Sequence, residues 1–151
     1  MKTIHKKIKI IFLLLIFVST SAQALDHIYT SYFSSKAVSG YDVIAYFDEQ
    51  KPVKGKSEYQ ISYKNANWFF SSQSNLEKFK ANPEQYAPQY GGYCAWAMAS
   101  NDDAPGNTPF WNIYNGKLYL NYNQEIMDKW TANKDEFIKQ ADIHWANKKK
   151  D

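Results

Sequence analysis

The stretch that decides the fold runs from residue 63 to residue 86: Tyr63-Lys-Asn-Ala-Asn-Trp-Phe-Phe-Ser-Ser-Gln-Ser-Asn-Leu-Glu-Lys-Phe-Lys-Ala-Asn-Pro-Glu-Gln-Tyr86. Just before it, Tyr59, Ile61 and Tyr63 alternate with polar residues, which is the period of a half-buried strand. Residues 64–67 are typical of a turn. The aromatic residues after them are predicted to form a second strand that runs antiparallel to the first. The stretch therefore begins with an antiparallel β-hairpin.

A helix is predicted directly after this hairpin. Ser71 or Ser72 can act as its N-cap, and Leu76 and Phe79 lie at helical spacing. Pro83 ends the helix, because the residue before a proline is driven out of the helical region. The unit is thus a hairpin followed by a helix.

The C-terminal half contains a second predicted hairpin, followed by two predicted helices. Asn115-Gly116 separates two apolar runs, residues 110–114 and 117–121, and this dipeptide is a strong signal for a tight hairpin turn. Asn123 is the predicted cap of a helix that ends at Trp130. Residues 135–146 predict a second helix, with its buried side formed by Phe137, Ile138, Ala141 and Trp145. We therefore predict an α+β fold in which two antiparallel β-hairpins pack against several short helices.

The first 24 residues have the features of a cleavable signal peptide. Four lysines precede an apolar run at residues 10–18, and Ala22-Gln-Ala24 supplies small residues at the cleavage site. The apolar run is too short to span a bilayer, which needs about 20 residues. We expect a periplasmic or secreted protein with no membrane anchor after cleavage.

The mature chain is predicted to be a single domain. Residues 25–37 are interpreted as an N-terminal arm, residues 38–147 as the domain, and residues 148–151 as a basic tail. Without the signal peptide, 14 basic residues face 15 acidic ones, and the sequence contains no arginine. This argues against a nucleic-acid partner, because such proteins carry basic surfaces rich in arginine.

Several motifs closely resemble the YHS domain, whose pattern runs from an aromatic hairpin into a helix and ends on Asn/Asp-Pro-Glu-x-Tyr. Residues 63–86 match this pattern up to their final Asn-Pro-Glu-Gln-Tyr. Gly40-Tyr-Asp-Val-Ile-Ala-Tyr-Phe47 and residues 86–97 resemble the flanking motifs of exported, stand-alone YHS proteins of bacteria. The resemblance covers most of the mature chain.

The resemblance implies a soft-metal site, but this sequence departs from the family at the decisive positions. Ser71 and Asn75 stand where cysteine-bearing YHS modules have paired cysteines. Neither residue supplies a thiolate, and an Asn amide is a poor ligand for Cu(I) or Zn(II). The family's metal site cannot be carried over, and Ser71 is interpreted as a helix cap.

Cys94, the only cysteine, and Met98 are candidate ligands for a different metal site. If residues 91–99 form one helix, the two sulfurs lie one turn apart on the same face. Thiolate and thioether are ligands that Cu(I) prefers, and His27 or His144 would have to complete the site. The leading hypothesis is an exported binding module for copper or another soft metal.

The sequence leaves two alternatives open. Tyr93 and Trp96, together with Tyr41 and Asp42, could line an aromatic pocket for a small ligand or a protein partner without any metal. A thiol-dependent enzyme is the least favoured interpretation, because the sequence places no histidine near Cys94. A buried, inert cysteine also accounts for Cys94, since free cysteines are among the residues most often buried.

Overall fold

The computed structural model of the chain describes residues 28–148. The predicted signal peptide, His27 and the last three residues of the basic tail lie outside the described residues. Among the helices of residues 28–148, none is long and apolar enough to cross a membrane.

The first hairpin is present, but its second strand begins at Ala66, two residues earlier than predicted. Strand β1 (Lys56–Tyr63) pairs antiparallel with β2 (Ala66–Phe70), with Ile61 opposite Trp68. The two turn residues, Lys64 and Asn65, have φ values of 48° and 60°. Positive φ at both central positions is the geometry that matches the twist of the flanking strands.

Three helices flank this hairpin along the chain. They are α1 (Val43–Asp48), α2 (Gln73–Ala81) and α3 (Pro83–Tyr86). The N-cap of α2 is Ser72, whose hydroxyl accepts a hydrogen bond from the Asn75 backbone at 3.2 Å. The interpretation of Ser71 as the cap is therefore wrong, because its side chain is engaged elsewhere.

The predicted continuous helix over residues 91–99 is also wrong. A 3-10 turn at Gln89–Gly92 contains left-handed backbone at Tyr90, Gly91 and Gly92, and only α4 (Ala95–Ala99) is α-helical. Left-handed conformations cannot continue a right-handed helix, so the chain extends through residues 93 and 94 before α4 begins.

The second hairpin and the two C-terminal helices follow the prediction closely. Strand β3 (Asn107–Tyr114) pairs with β4 (Lys117–Asn121), and Asn115 and Gly116 both have positive φ. Asn123 caps α5 (Gln124–Ala132) by accepting from the Ile126 backbone at 2.9 Å. The last helix is α6 (Lys134–Lys148), and its Lys148 pairs with Asp103 at 2.6 Å.

Strand β4 separates two core clusters because its alternate side chains point to opposite faces. Leu118 and Leu120 pack into the first core cluster, and Tyr119 packs into the second. The first cluster is centred on the first hairpin, α1 and α2, and includes Val43, Ile44, Tyr46, Trp68, Phe70 and Phe79. The second joins α4, α5 and α6, and includes Tyr90, Tyr93, Met98, Trp130 and Ala141. The α+β prediction, with two hairpins packed on short helices, is confirmed.

Candidate functional site

A polar cluster lies where the first hairpin meets α1 and α2, and we call its residues Asp42, Ser71 and Asn75 the Asp42 cluster. The Asp42 carboxylate is fully buried. Its Oδ2 atom accepts three hydrogen bonds: from the Ser71 backbone N–H at 2.8 Å, the Ser71 hydroxyl at 2.7 Å and the Asn75 amide at 2.7 Å. Its Oδ1 atom accepts from the Ile44 backbone at 2.9 Å.

Three local elements bring these residues together. Asp42 is the N-cap of α1, which explains its bond to Ile44. Ser71 directly follows β2, and Asn75 lies four residues later in the first turn of α2, so the two share one face. The Asn75 amide also donates to the Ser71 hydroxyl at 3.2 Å, which links the two positions directly. The cluster thus fastens α1 to the junction between β2 and α2.

The chemistry of this cluster does not fit a soft metal. Asp42, Ser71 and Asn75 offer oxygen and amide groups, whereas Cu(I) favours thiolate and thioether ligands. The Oδ2 atom already accepts three donors, and Asn75 directs its N–H group, which cannot ligate a cation, towards Asp42. Ser71 and Asn75 therefore form a hydrogen-bonded tie between elements.

Cys94 lies elsewhere, at the N-cap of α4, and is 1% exposed. Its thiol donates to the Asn121 Oδ1 atom at 3.7 Å, and the same oxygen accepts from the Trp96 backbone at 3.3 Å. Burial raises the pKa of the Cys94 thiol and outweighs the backbone N–H groups of Ala97, Tyr122 and Trp96, which lower it. The protonated thiol is thus favoured in the folded protein.

Met98 is fully buried in the second core cluster. Its backbone N–H donates to the Cys94 carbonyl at 2.9 Å, so the two residues are one turn apart. His144 is partly exposed on α6, three residues after the buried Ala141. Across residues 28–148, no group of three or more His, Cys, Asp or Glu side chains is arranged to hold a metal ion.

The four residues of the expected aromatic pocket are divided between the two halves of the domain. Tyr41 packs against the first core cluster, next to the Asp42 cluster. Tyr93 and Trp96 belong to or pack against the second core cluster. The Tyr93 ring contacts Tyr29 of the arm, with the ring centroids 5.2 Å apart. The structure thus brings together Tyr41 with Asp42, and Tyr93 with the second cluster.

A small cavity of about 90 Å³ opens where the two core clusters meet. Ile28 and Ala87 of the first cluster and Tyr90 of the second contribute to its walls. Trp145 of α6 also lines it, together with Lys64 and Glu84.

The charged wall of this cavity is an ion pair. The Lys64 ammonium lies 2.6 Å from Glu84 Oε1, and the Tyr63 hydroxyl donates to the same carboxylate oxygen. The side chains of Lys64 and Glu84 are 38% and 69% exposed, so a ligand could reach both groups. Glu84 belongs to the Asn-Pro-Glu-Gln-Tyr motif at residues 82–86, but the sequence alone does not place it beside Lys64 or Trp145.

Comparison with known proteins identifies the segment that contains Ser71 and Asn75. A family model described as the YHS domain matches residues 44–90, which include the first hairpin, α2 and α3. No curated protein and no solved structure matches the chain. YHS domains are associated with metal binding in general, so the match indicates a possible metal-binding module and specifies no metal.

Proposed function

From the YHS domain that the chain carries at residues 44–90, we propose that this protein is an exported binding module that recognises its ligand without a metal ion at the YHS cysteine positions. The Asp42 cluster is the observation that carries this proposal. Ser71 and Asn75 both donate to one buried carboxylate oxygen, so these positions stabilise the fold internally. Export is supported by the signal-like pattern of residues 1–24.

The ligand site in this proposal is the cavity between the two core clusters. Its volume of about 90 Å³ is well above the space that one water molecule needs, so it fits a small polar molecule or a single side chain of a partner. The Lys64 ammonium and the Glu84 carboxylate can bind opposite charges, and the Trp145 ring supplies an apolar wall. A few polar groups beside aromatic rings are typical of ligand sites.

Soft-metal binding by Cys94 and Met98 is the second candidate function, with copper as the preferred ion. The observation that favours it is the backbone hydrogen bond from Met98 to Cys94, which places two sulfur-bearing residues one turn apart. Metal binding would require Cys94 to lose its proton, because the thiolate is the metal ligand. The raised pKa of this thiol opposes that deprotonation.

Competition for Cu(I) against a chelator distinguishes the two functions. We expect the natural protein to leave Cu(I) on the chelator, and the variant Ser71→Cys/Asn75→Cys to acquire Cu(I) because it restores two thiolates at the family's positions. Retention of Cu(I) by the natural protein, with loss of that retention in Cys94→Ser, would instead establish the second candidate. Circular dichroism of each variant checks that the fold is kept.

Native mass spectrometry of the protein isolated from its own host tests export and the cavity together. We expect a polypeptide that lacks residues 1–24, no metal, and a small organic adduct. The adduct should be lost in Glu84→Gln and Lys64→Gln, which alter exposed side chains at the cavity, and kept in Lys139→Gln, an exposed control on α6. An adduct retained in both cavity variants would contradict this assignment of the ligand site.

A further inference from the structure

Two aromatic rings protrude from the N-terminal arm. Tyr32 and Phe33 are 93% and 95% exposed, and they pack edge to face with their ring centroids 4.7 Å apart. The other exposed large apolar side chains of residues 28–148 are less exposed, Tyr122 at 47% and Ile143 at 57%. We call Tyr32 and Phe33 the aromatic tip.

The aromatic tip is held in place on both sides. Before it, Ile28 is buried in the first core cluster, and the Tyr29 backbone donates to the Gly91 carbonyl at 2.9 Å. At the tip itself, the Ser34 backbone donates to Ser31 at 2.9 Å and closes a turn. After it, Ser35 accepts from the Asn67 backbone at 2.7 Å. The rings are therefore presented to solvent by an anchored turn.

Basic side chains lie on and near the segment that follows the aromatic tip. Lys36 follows Phe33 by three residues, and its side chain lies against Gly40. Gly40 in turn accepts from the Gly55 backbone at 3.0 Å, which brings the neighbouring Lys54 alongside. Lys54 donates to the Ser39 carbonyl at 2.9 Å. Lys36 and Lys54 thus lie close together, on and beside the segment that directly follows the aromatic tip.

These lysines carry positive charge that is available for binding. Within residues 28–148, neither Lys36 nor Lys54 forms an ion pair with a carboxylate, and the same holds for Lys56 on β1. Each of the three ammonium groups lies over an aromatic ring instead, at 4.4 to 5.7 Å from its centroid. A cation over a ring keeps its full charge, so the surface retains its attraction for anions.

We propose that the aromatic tip and the three lysines Lys36, Lys54 and Lys56 form a docking surface for an anionic lipid bilayer. Aromatic side chains are favoured at the boundary between headgroups and acyl chains, and lysines are attracted to anionic headgroups. Two protruding rings can insert between the lipid headgroups of a bilayer. The positive charge of the lysines is complementary to the negative charge of that bilayer. This inference is independent of the proposed ligand cavity.

Vesicle flotation measures this docking directly. The protein isolated from its host should float with vesicles of phosphatidylcholine containing one-third phosphatidylglycerol, and much less with phosphatidylcholine alone. We expect about fivefold weaker binding for each lysine changed to glutamine. We expect a further loss of about tenfold for each ring changed to serine. Thermal unfolding should change little, because both rings are exposed and the lysines lose only exposed contacts.

A fluorescent label on the aromatic tip shows whether the tip itself contacts the bilayer. It separates this contact from vesicle binding through another part of the protein. The variant Phe33→Cys is labelled with an environment-sensitive dye, while the buried Cys94 reacts slowly. Its emission should shift to shorter wavelength with the anionic vesicles, and the same dye on Lys139→Cys of α6 should not respond. Flotation unaffected by the lysine and ring variants, or a dye that shifts only when another protein is added, would overturn the proposal.

Discussion

Ser71 donates two hydrogen bonds to a single oxygen of Asp42, from its backbone N–H at 2.8 Å and from its hydroxyl at 2.7 Å. Because Asp42 is fully buried, these donors replace water around the carboxylate. A serine at this position therefore has a different chemical role from a metal-binding cysteine. It donates to a protein anion, whereas a thiolate would accept a cation.

The first prediction concerns the substitution Asp42→Asn. An asparagine side chain has one acceptor oxygen and one NH₂ group, so at least one buried donor must lose its partner. We expect the free energy of unfolding to fall by about 2 kcal/mol or more. Urea denaturation monitored by tryptophan fluorescence measures it.

The matched control is Asp48→Asn, which removes an exposed ion pair with Lys78 at 2.7 Å. An exposed pair contributes about 0–1 kcal/mol, so this variant should unfold close to the natural protein. Equal losses in the two variants would show that the Asp42 cluster contributes no more than a surface contact.

The second prediction concerns the reactivity of Cys94. Since burial raises the pKa of this thiol and leaves it 1% exposed, native protein should react with iodoacetamide far more slowly than urea-unfolded protein at about pH 8. Mass spectrometry of the alkylated fraction over time gives both rates. Rapid labelling of the folded protein would show an activated thiol and would favour the enzyme interpretation.

The third prediction is a loss of stability in alkali. Burial raises the pKa values of Tyr46, Tyr90 and Tyr119, the last to about 12, while the unfolded chain ionises near pH 10. Below about pH 10 both states keep these protons, and above it only the unfolded state loses them. The free energy of unfolding should therefore fall as the pH rises above about 10. Urea midpoints across this range measure it, and Tyr46→Phe should show a shallower decline.

The fourth prediction concerns the contact between Gly106 and Gly92. A Cβ atom on Gly106 would lie 2.5 Å from the Gly92 carbonyl oxygen and 2.6 Å from Leu120 Cβ. Gly106→Ala should therefore cost about 3 kcal/mol or more, because the strand and the turn must move apart. It should also speed alkylation of Cys94, whose backbone N–H donates to Ala104 in the same loop at 2.9 Å.

Gly116→Ala is the control for this substitution. Gly116 has φ of 71°, but an added Cβ would lie no closer than 4.0 Å to Gln85. Only backbone strain remains, so we expect a loss of about 1 kcal/mol and no change in Cys94 alkylation. Faster alkylation in both variants would indicate general unfolding instead of local opening of the loop.

Local signals predicted most of the secondary structure. The Asn115-Gly116 dipeptide, the Asn123 cap and the alternation in β1 each depend on residues only a few positions apart. Such signals are set by backbone sterics and short-range hydrogen bonds, which a sequence displays directly. The prediction of one helix over residues 91–99 was wrong because the left-handed backbone at Tyr90 through Gly92 is stabilised by contacts with distant segments, including Tyr29 and Gly106.

The sequence by itself determined the α+β composition, both hairpin turns, the C-terminal helix cap and the absence of paired cysteines at Ser71 and Asn75. Only the tertiary structure decided what those two positions do, because Asp42 lies about thirty residues away and reaches them through the packing of α1 on α2. It also decided where the cavity lies, since Lys64, Glu84 and Trp145 come from the first hairpin turn, α3 and α6. Contacts between distant segments depend on how whole elements pack, and local patterning does not encode that packing.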